Sequence, residues 1–490
     1  MVINLTSSIT LSQALPLLTA KHGVTIEGNG NTISGNDAYR ILFIDAGSSS
    51  VSIADLALDH AVAHGGTGAD GGYGGSGGGG LGGALFVNSG AVTLSGVTFA
   101  NDGAVGGNGG SGGSLAIGGG GGGLGGFGGA GGASQGGGGG GGGVIFGGLG
   151  GLSAGNGGGG GGPNGGTGGS GGGGTGGNGG FGSGGGGGGS ALGGHVFVRG
   201  DNGASLSFVD SSASARTLTG GLGGLGANNG ATAGTGLFST GGTLNFTVDL
   251  GQSQTIGGSI AESGVQSNLP GSGVVSLLKD GLGTLTLTGD SSAANFGYSG
   301  GTSILAGTLL ADNATGSATG SGGVSVFSGA TLGGTGTIAG AVTSIGGGLT
   351  AGDPTLIGGV GTLTLSTSLS LDAASSLSFS LGTTSHSDRI DVGGATTLAG
   401  VVNLNALTGF GVGTYDLINY GTLVSDHLTL GTTPAGFQYQ LGDNTTLKQV
   451  DLIVTAAAAV PEPGSLILLV TGIGLAGLAS HRRRSRRSRA

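Results

Sequence analysis

The chain contains no cysteine and no tryptophan, and only 7% of its 490 residues are charged. The missing cysteines exclude a disulfide-stapled scaffold and a thiolate metal centre. Proline is scarce at 7 residues, and no strict Gly-X-Y period runs through the 135 glycines, which excludes a collagen triple helix. An apolar content of 36% and a mean hydropathy of +0.30 argue against a chain disordered throughout. Aromatics are few, at 4%, so the platforms on which sugars or bases stack are poorly supplied.

Charge is divided by position. Residues 1–463 hold 7 basic and 23 acidic residues, a net −16, whereas the last nine residues hold six arginines and no acid. An acidic body does not suit nucleic acid, whose affinity comes from neutralised phosphates. The arginines follow an uncharged run, residues 464–480 (GSLILLVTGIGLAGLAS). As a helix at ~1.5 Å per residue it reaches ~25 Å, slightly short of a ~30 Å hydrocarbon core, and snorkelling arginines cover the deficit. The spacing predicts one transmembrane helix, with Arg482, Arg483, Arg484, Arg486, Arg487 and Arg489 acting as a cytoplasmic stop-transfer signal and the acidic body outside.

Val460-Pro461-Glu462-Pro463, the apolar run and the basic tail together resemble the PEP-CTERM sorting signal of Gram-negative bacteria. The resemblance implies recognition by an exosortase-type processing enzyme at Val460–Pro463. It also implies an inner-membrane-anchored precursor that goes on to the cell surface or extracellular matrix. The two prolines stop the helix from running into the body, so the signal stays extended and accessible. An exported chain needs a basic and apolar leader, and Met1-Val2-Ile3-Asn4-Leu5 supplies none, so the start reads as truncated.

Before residue 460 no 3.6-residue apolar period persists, and short β-branched runs alternate with Gly/Asn turns, as in Val24-Thr25-Ile26 before Gly28-Asn29-Gly30-Asn31. The pattern predicts an all-β chain. The run Gly283-Thr284-Leu285-Thr286-Leu287, Gly300-Gly301-Thr302-Ser303-Ile304, Ala306-Gly307-Thr308-Leu309 and Gly329-Ala330-Thr331-Leu332 resembles the strand repeats of autotransporter passenger domains, and 349–455 resembles the end of such passengers. That resemblance implies a right-handed parallel β-helix, without the membrane barrel of a true autotransporter. Strand and turn lengths independently suit a solenoid of about 22 residues per coil, roughly 16 coils, with inward Leu, Ile, Val, Thr and Ala. The expected organisation is β-helix coils at 1–102, a Gly-rich insert at 103–194, coils at 195–270, passenger-type repeats at 271–345, coils at 346–455 and the sorting signal at 456–490.

The insert holds 59 glycines in 92 positions. Two similar units flank it, Gly82-Gly83-Ala84-Leu85-Phe86-Val87 and Gly193-Gly194-His195-Val196-Phe197-Val198, which suggests neighbouring coils on either side. Such a composition suits a flexible linker. Its G-G-X triplets, and its recurring Leu124, Phe127, Val144, Ile145 and Phe146, suit a bundle of threefold extended helices in which every X lies on one edge.

Groups able to carry chemistry are sparse. His60 and His64 beside Asp59 have a metal-like spacing in a loop context and read as solvated or structural. Gly65-Gly66-Thr67-Gly68-Ala69-Asp70 begins like a calcium-binding nonapeptide but continues with Gly72 and has no tandem copy. Asp55 with Asp59, and Asp388 with Arg389 and Asp391, are the tight charged groups, the latter reading as a surface ion pair. No catalytic, cofactor or metal site is expected. The function read from this is a non-enzymatic structural protein of a biofilm or exopolysaccharide matrix, with exopolysaccharide as a partner. The alternatives are an adhesin acting through the Gly-rich module and a β-helix polysaccharide lyase or hydrolase.

Overall fold

The computed structural model describes residues 1–111 and 187–457, except 69, 71–76, 225–227, 264–272, 293, 295 and 354–358. The apolar run 464–480, the sorting signal at Val460–Pro463 and the arginines lie outside the described residues, as does 112–186. Among the described residues no helix is long and apolar enough to cross a membrane.

The regular structure of these residues is almost wholly β, with a 3-10 turn at Gly200–Asn202. Thirty strands join one sheet system. Strands form because side chains alternate, as in Val275–Asp280, where Val275, Leu277 and Lys279 are buried while Ser276 and Leu278 are half-buried. Asn and Gly supply left-handed corners between strands, for instance Asn29 (φ 53°) and Asn101 (φ 54°).

The strands of the body pair in parallel, and three ladders carry the core. The longest passes through Ile3, Ile26, Ile53, Leu94, Phe208 and Phe246 to Lys279, each aligned with the next. It continues through Ile304, Val326, Ser344 and Leu371 and on into Arg389–Ala406 and Gly413–Leu430. Thirteen strands therefore stack where about 16 coils were expected. Rungs such as Ile53 to Leu94 or Phe208 to Phe246 take more residues than the assumed 22. A second ladder passes through Leu285, Leu309, Leu332, Leu349, Leu377 and Val402. A third aligns Leu42, Leu85, Val196, Leu237 and Ile260. Their inward side chains make one continuous core. Aromatics enter it as well as small residues, Phe208 and Phe246 stacking at 4.9 Å.

The C-terminal end changes sense. Gln449–Ala456 pairs antiparallel with both Gly413–Leu430 and Phe437–Asn444. Phe410, Tyr415, Phe437 and Tyr439 pack together there. Gln449–Ala456 thereby pairs residues 413–419 of the last strand, whose N–H and C=O groups would otherwise stand open.

Candidate interaction site: a glycine array on a phenylalanine ladder

The third ladder has an outward face. Phe43, Phe86, Phe197 and Phe238 stand on it in register and stack in sequence at 4.5, 4.9 and 5.3 Å between centroids. The two similar units around the Gly-rich stretch are direct neighbours, Leu85-Phe86-Val87 aligning with Val196-Phe197-Val198. Leu237-Phe238-Ser239 is a third copy, aligned next. Each copy follows a glycine held left-handed, Gly82 (φ 61°), Gly193 (φ 67°) and Gly234 (φ 67°). A β-carbon at any of these would stand 2.2–2.3 Å from a backbone oxygen, so the chain turns there only with glycine. Leu81, Leu192 and Ala233 precede those turns and cover the phenylalanines, forming a second apolar cluster apart from the main core. Arg40 closes one end. Its guanidinium donates to the carbonyls of Leu81 and Gly82 and lies 5.5 Å from the Phe86 ring centroid.

Above this ladder six glycine-rich segments pack in two rows, 62–68, 103–111 and 217–222 in one and 77–81, 187–192 and 228–233 in the other. Short parallel strands pair within them, Val62–His64 with Gly103–Val105 and Ala191–Leu192 with Gly80–Leu81 and Thr232–Ala233, and beyond these strands the hydrogen bonds repeat every three residues instead of every two. Gly77 and Gly80 both donate to segment 187–192 (2.8 Å each), while Gly78 donates to Gly66 at 2.7 Å. Gly188 and Ala191 both donate to segment 228–233, while Gly189 donates to Gly107 at 2.8 Å. Gly106 and Gly109 donate to segment 217–222, while Gly107 donates to Gly78. A three-residue repeat is the period of an extended threefold helix, and the bonds between neighbours make the segments a backbone-to-backbone bundle. Only glycine permits this approach. A β-carbon at Gly77 would lie 1.8 Å from the Gly107 carbonyl oxygen, and one at Gly189 would lie 1.8 Å from that of Gly78. The ends of the Gly-rich stretch that are described, 103–111 and 187–194, thus follow the bundle reading.

Beneath the array lies a buried knot that sequence inspection did not single out. His195 Nδ1 is 2.8 Å from Asp102 Oδ2, both side chains fully buried. Asp102 Oδ1 accepts the Ala61 N–H at 2.9 Å, and Arg216 Nε donates to the Asp102 carbonyl at 2.8 Å. Ser214 Oγ lies 3.3 Å from His195 Nε2, completing a Ser-His-Asp constellation. Its chemistry is structural. His195 Nε2 is 2.7 Å from the Ser214 carbonyl oxygen, which only accepts, so this nitrogen carries a proton and is no base for the hydroxyl. Burial pushes the Asp102 carboxyl up, against the opposing bonds from His195 and Ala61. Residues 61, 102 and 216 each immediately precede an array segment, so the knot fixes where three of them start.

The residues singled out in sequence fall elsewhere. His60 bonds Asp59 (Nδ1 to Oδ2, 2.8 Å), whereas His64 sits exposed on an array segment, and Asp55 occupies a left-handed corner (φ 48°). Asp70 Oδ1 accepts the Ser111 N–H at 2.6 Å. Among the described residues no group of three or more His or carboxylate side chains is placed to hold a metal. The expected Asp388–Arg389 surface pair is corrected. Strand alternation turns neighbouring side chains to opposite faces. Asp388 therefore points inward, 1% exposed, and accepts N–H groups from Gly361 (2.9 Å) and Ser380 (2.7 Å). Burial pushes its carboxyl up to about 6. Arg389 faces outward and grips Asp391 with two bonds of 2.8 and 3.0 Å.

Lys279 lies in strand-like sequence, Val274-Val275-Ser276-Leu277-Leu278-Lys279, with no motif around it. It takes the inward place between Phe246 and Ile304 and is fully buried. Its Nζ donates to the carbonyls of Asp280, Gly281 and Ala306 at 2.7–3.1 Å, and burial pushes its ammonium down to about 8. This rung opens the segment in which a family model finds its match. The passenger-associated-transport-repeat matches residues 277–311, from within the strand Val275–Asp280 through Thr284–Leu287, Thr302–Ile304 and Gly307–Ala311. The PEP-CTERM protein-sorting motif matches residues 459–484.

The chain carries both modules.

The sorting motif implies export to the cell surface and processing by an exosortase-type enzyme. The chain is also similar to the adhesin BmaC autotransporter of Brucella suis biovar 1 (strain 1330), 34% identical over 198 residues. That match covers 39% of this chain and only 5% of the length of the adhesin.

Proposed function

We propose that this is a non-enzymatic structural protein of the cell surface or extracellular matrix, made as a membrane-held precursor. An exosortase-type enzyme recognises Val460–Pro463, residues 464–480 hold the precursor in the inner membrane, and Arg482–Arg484, Arg486, Arg487 and Arg489 keep its end cytoplasmic. The three ladders wind as a right-handed parallel β-helix, a stiff spacer that carries the glycine array outward into biofilm or exopolysaccharide. The observation that carries the reading is the sorting motif at 459–484 directly behind a long parallel body. A structural role is supported by Arg40, Asp102, Lys279 and Asp388, whose side chains bond backbone groups.

The test is fractionation of cells with and without the exosortase-type enzyme. With it, the chain is expected at the surface or in the medium. Without it, or with Pro461→Ala and Pro463→Ala together, the chain is expected to stay in the inner membrane. Surface display unaffected by both changes would contradict the reading.

The similarity to an adhesin favours a second reading, in which the glycine array binds a glycan or host surface. Binding of the purified chain to cells or a glycan array, lost on deletion of 103–194, would select it over a purely structural role.

A further inference from the structure

Both ring nitrogens of His195 face oxygens that accept. Nδ1 lies 2.8 Å from Asp102 Oδ2 and Nε2 lies 2.7 Å from the Ser214 carbonyl oxygen, with the ring and the carboxyl fully buried. At 3.3 Å the Ser214 hydroxyl is too far to take the place of the carbonyl bond. A carbonyl and an ionised carboxylate only accept, so each of the two contacts needs a proton between its atoms. A neutral imidazole beside a carboxylate has one proton for two contacts. The knot therefore closes only with one proton more, held on the ring as imidazolium or on Asp102 as the acid. The second carboxyl oxygen is already engaged, accepting the Ala61 N–H at 2.9 Å. Burial, which pushes the Asp102 carboxyl up, works in the same direction by keeping the proton with the pair.

We infer that the knot is a proton lock on the glycine array: the array stays seated while Asp102 and His195 share their extra proton, and it is released in alkali as that proton leaves. The knot is placed for this. Ala61, Asp102 and Arg216 each stand directly before an array segment, and the His195 carbonyl accepts the N–H groups of Ala84 and Leu85 at 2.9 and 3.0 Å, tying the ring's own backbone to the neighbouring rung. Without the proton, the Nδ1 lone pair faces a carboxylate across a buried contact. The sign follows from counting protons. In an opened chain Asp titrates at about 3.9 and His at about 6.5, so between these values the opened pair carries as many protons as the closed one. Above about 6.5 the opened pair gives one up and the closed pair keeps it. Opening then becomes about tenfold easier with each pH unit for as long as the closed knot holds its proton. Below about 3.9 opening takes one proton up, so the lock holds best between about 4 and 6.5. Few other charges face the pair. Asp59 acts on Asp102 through space and is itself bonded by the partly exposed His60 at 2.8 Å. Arg216, whose Nε donates to the Asp102 carbonyl at 2.8 Å, stays charged throughout. The Phe99 ring, 5.9 Å from the imidazole, is neutral.

Amide exchange on the purified full chain, in detergent and corrected for the intrinsic pH dependence of exchange, tests this between pH 6 and pH 9. At Gly107, Gly189 and Ala191, whose N–H groups bond within the array, the opening equilibrium is expected to rise about tenfold per pH unit above 7. Asp102→Asn removes the need for the extra proton. Its amide oxygen can still accept the Ala61 N–H, its NH2 can donate to Nδ1 of a neutral His195, and Nε2 keeps the Ser214 carbonyl. The same three amides are therefore expected to show no such slope in this variant. His60 and Asp59 are present in both forms, so their charge changes cancel in the comparison. Equal protection in 275–345 at pH 6 shows that the variant has folded. A flat profile in the natural chain would overturn the inference, and so would an equal slope in both forms, which would put the sensitive group elsewhere. Nitrogen-15 spectra of the His195 ring in the natural chain give a reading independent of the variant. They should show a proton on Nε2 and a hydrogen-bonded Nδ1 at pH 7, and a free Nδ1 lone pair there would also overturn it.

Discussion

Lys279 and Asp388 are the residues where burial and charge are most at odds, and each gives a pH signature. The Lys279 ammonium sits in a core ladder and satisfies three carbonyls. Lys279→Met keeps the volume but leaves those carbonyls without their donor, and is expected to cost about 1–3 kcal/mol in denaturant unfolding. Because its folded pKa is lowered to about 8 from 10.5, the unfolded chain binds the extra proton between these values. The natural chain should therefore gain stability relative to the variant as pH rises from 8 to 10. Asp388 works in the opposite sense. Its folded pKa is raised to about 6 from 3.8, so the folded chain holds the extra proton. That contribution is complete below pH 3.8 and is lost as pH rises through 6. Thermal unfolding at pH 4.5 and pH 7 should show the natural chain losing ground to Asp388→Asn at the higher pH, and the reverse order would contradict the assignment. Neither role was legible in the sequence. Both residues look like ordinary strand-end charges, and only the register, which sets the inward face, reveals them.

At the scale of elements, the strands were legible because alternation and Gly/Asn turns are local signals, and the two flanking units correctly pointed to neighbouring rungs. The phenylalanine ladder was not read, although aligning those units places Phe86 over Phe197 and a third copy adds Phe238. Its meaning lies in contacts across 111 residues of chain, from Phe86 to Phe197. Phe197→Ala, at a site 1% exposed, is expected to cost about 3–5 kcal/mol and to speed amide exchange in segment 187–192, since the ladder is the seat of the array. The glycines make a sharper comparison. Gly189→Ala places a methyl 1.8 Å from the Gly78 carbonyl oxygen and is expected to destabilise by about 1–3 kcal/mol, whereas Gly442→Ala, with nothing within 4 Å, should stay within about 0.5 kcal/mol. Equal effects in thermal unfolding would remove the close-packed array from the account.

At the scale of the whole molecule, an all-β, parallel architecture followed from many short strands and repeats, and the sorting motif from the order proline pair, apolar run and arginine tail. The rung count was overestimated because rung length varies with the loops, which carry no periodic signal. The buried His195–Asp102 knot was invisible because its members are 93 residues apart. The proposal of a membrane-held precursor makes one direct demand on the mature protein. Intact-mass measurement of the chain recovered from the cell surface or medium should give a polypeptide ending near Val460–Pro463, without the arginine tail. Recovery of the chain from the cytosol, with Arg482 to Arg489 still attached, would contradict it.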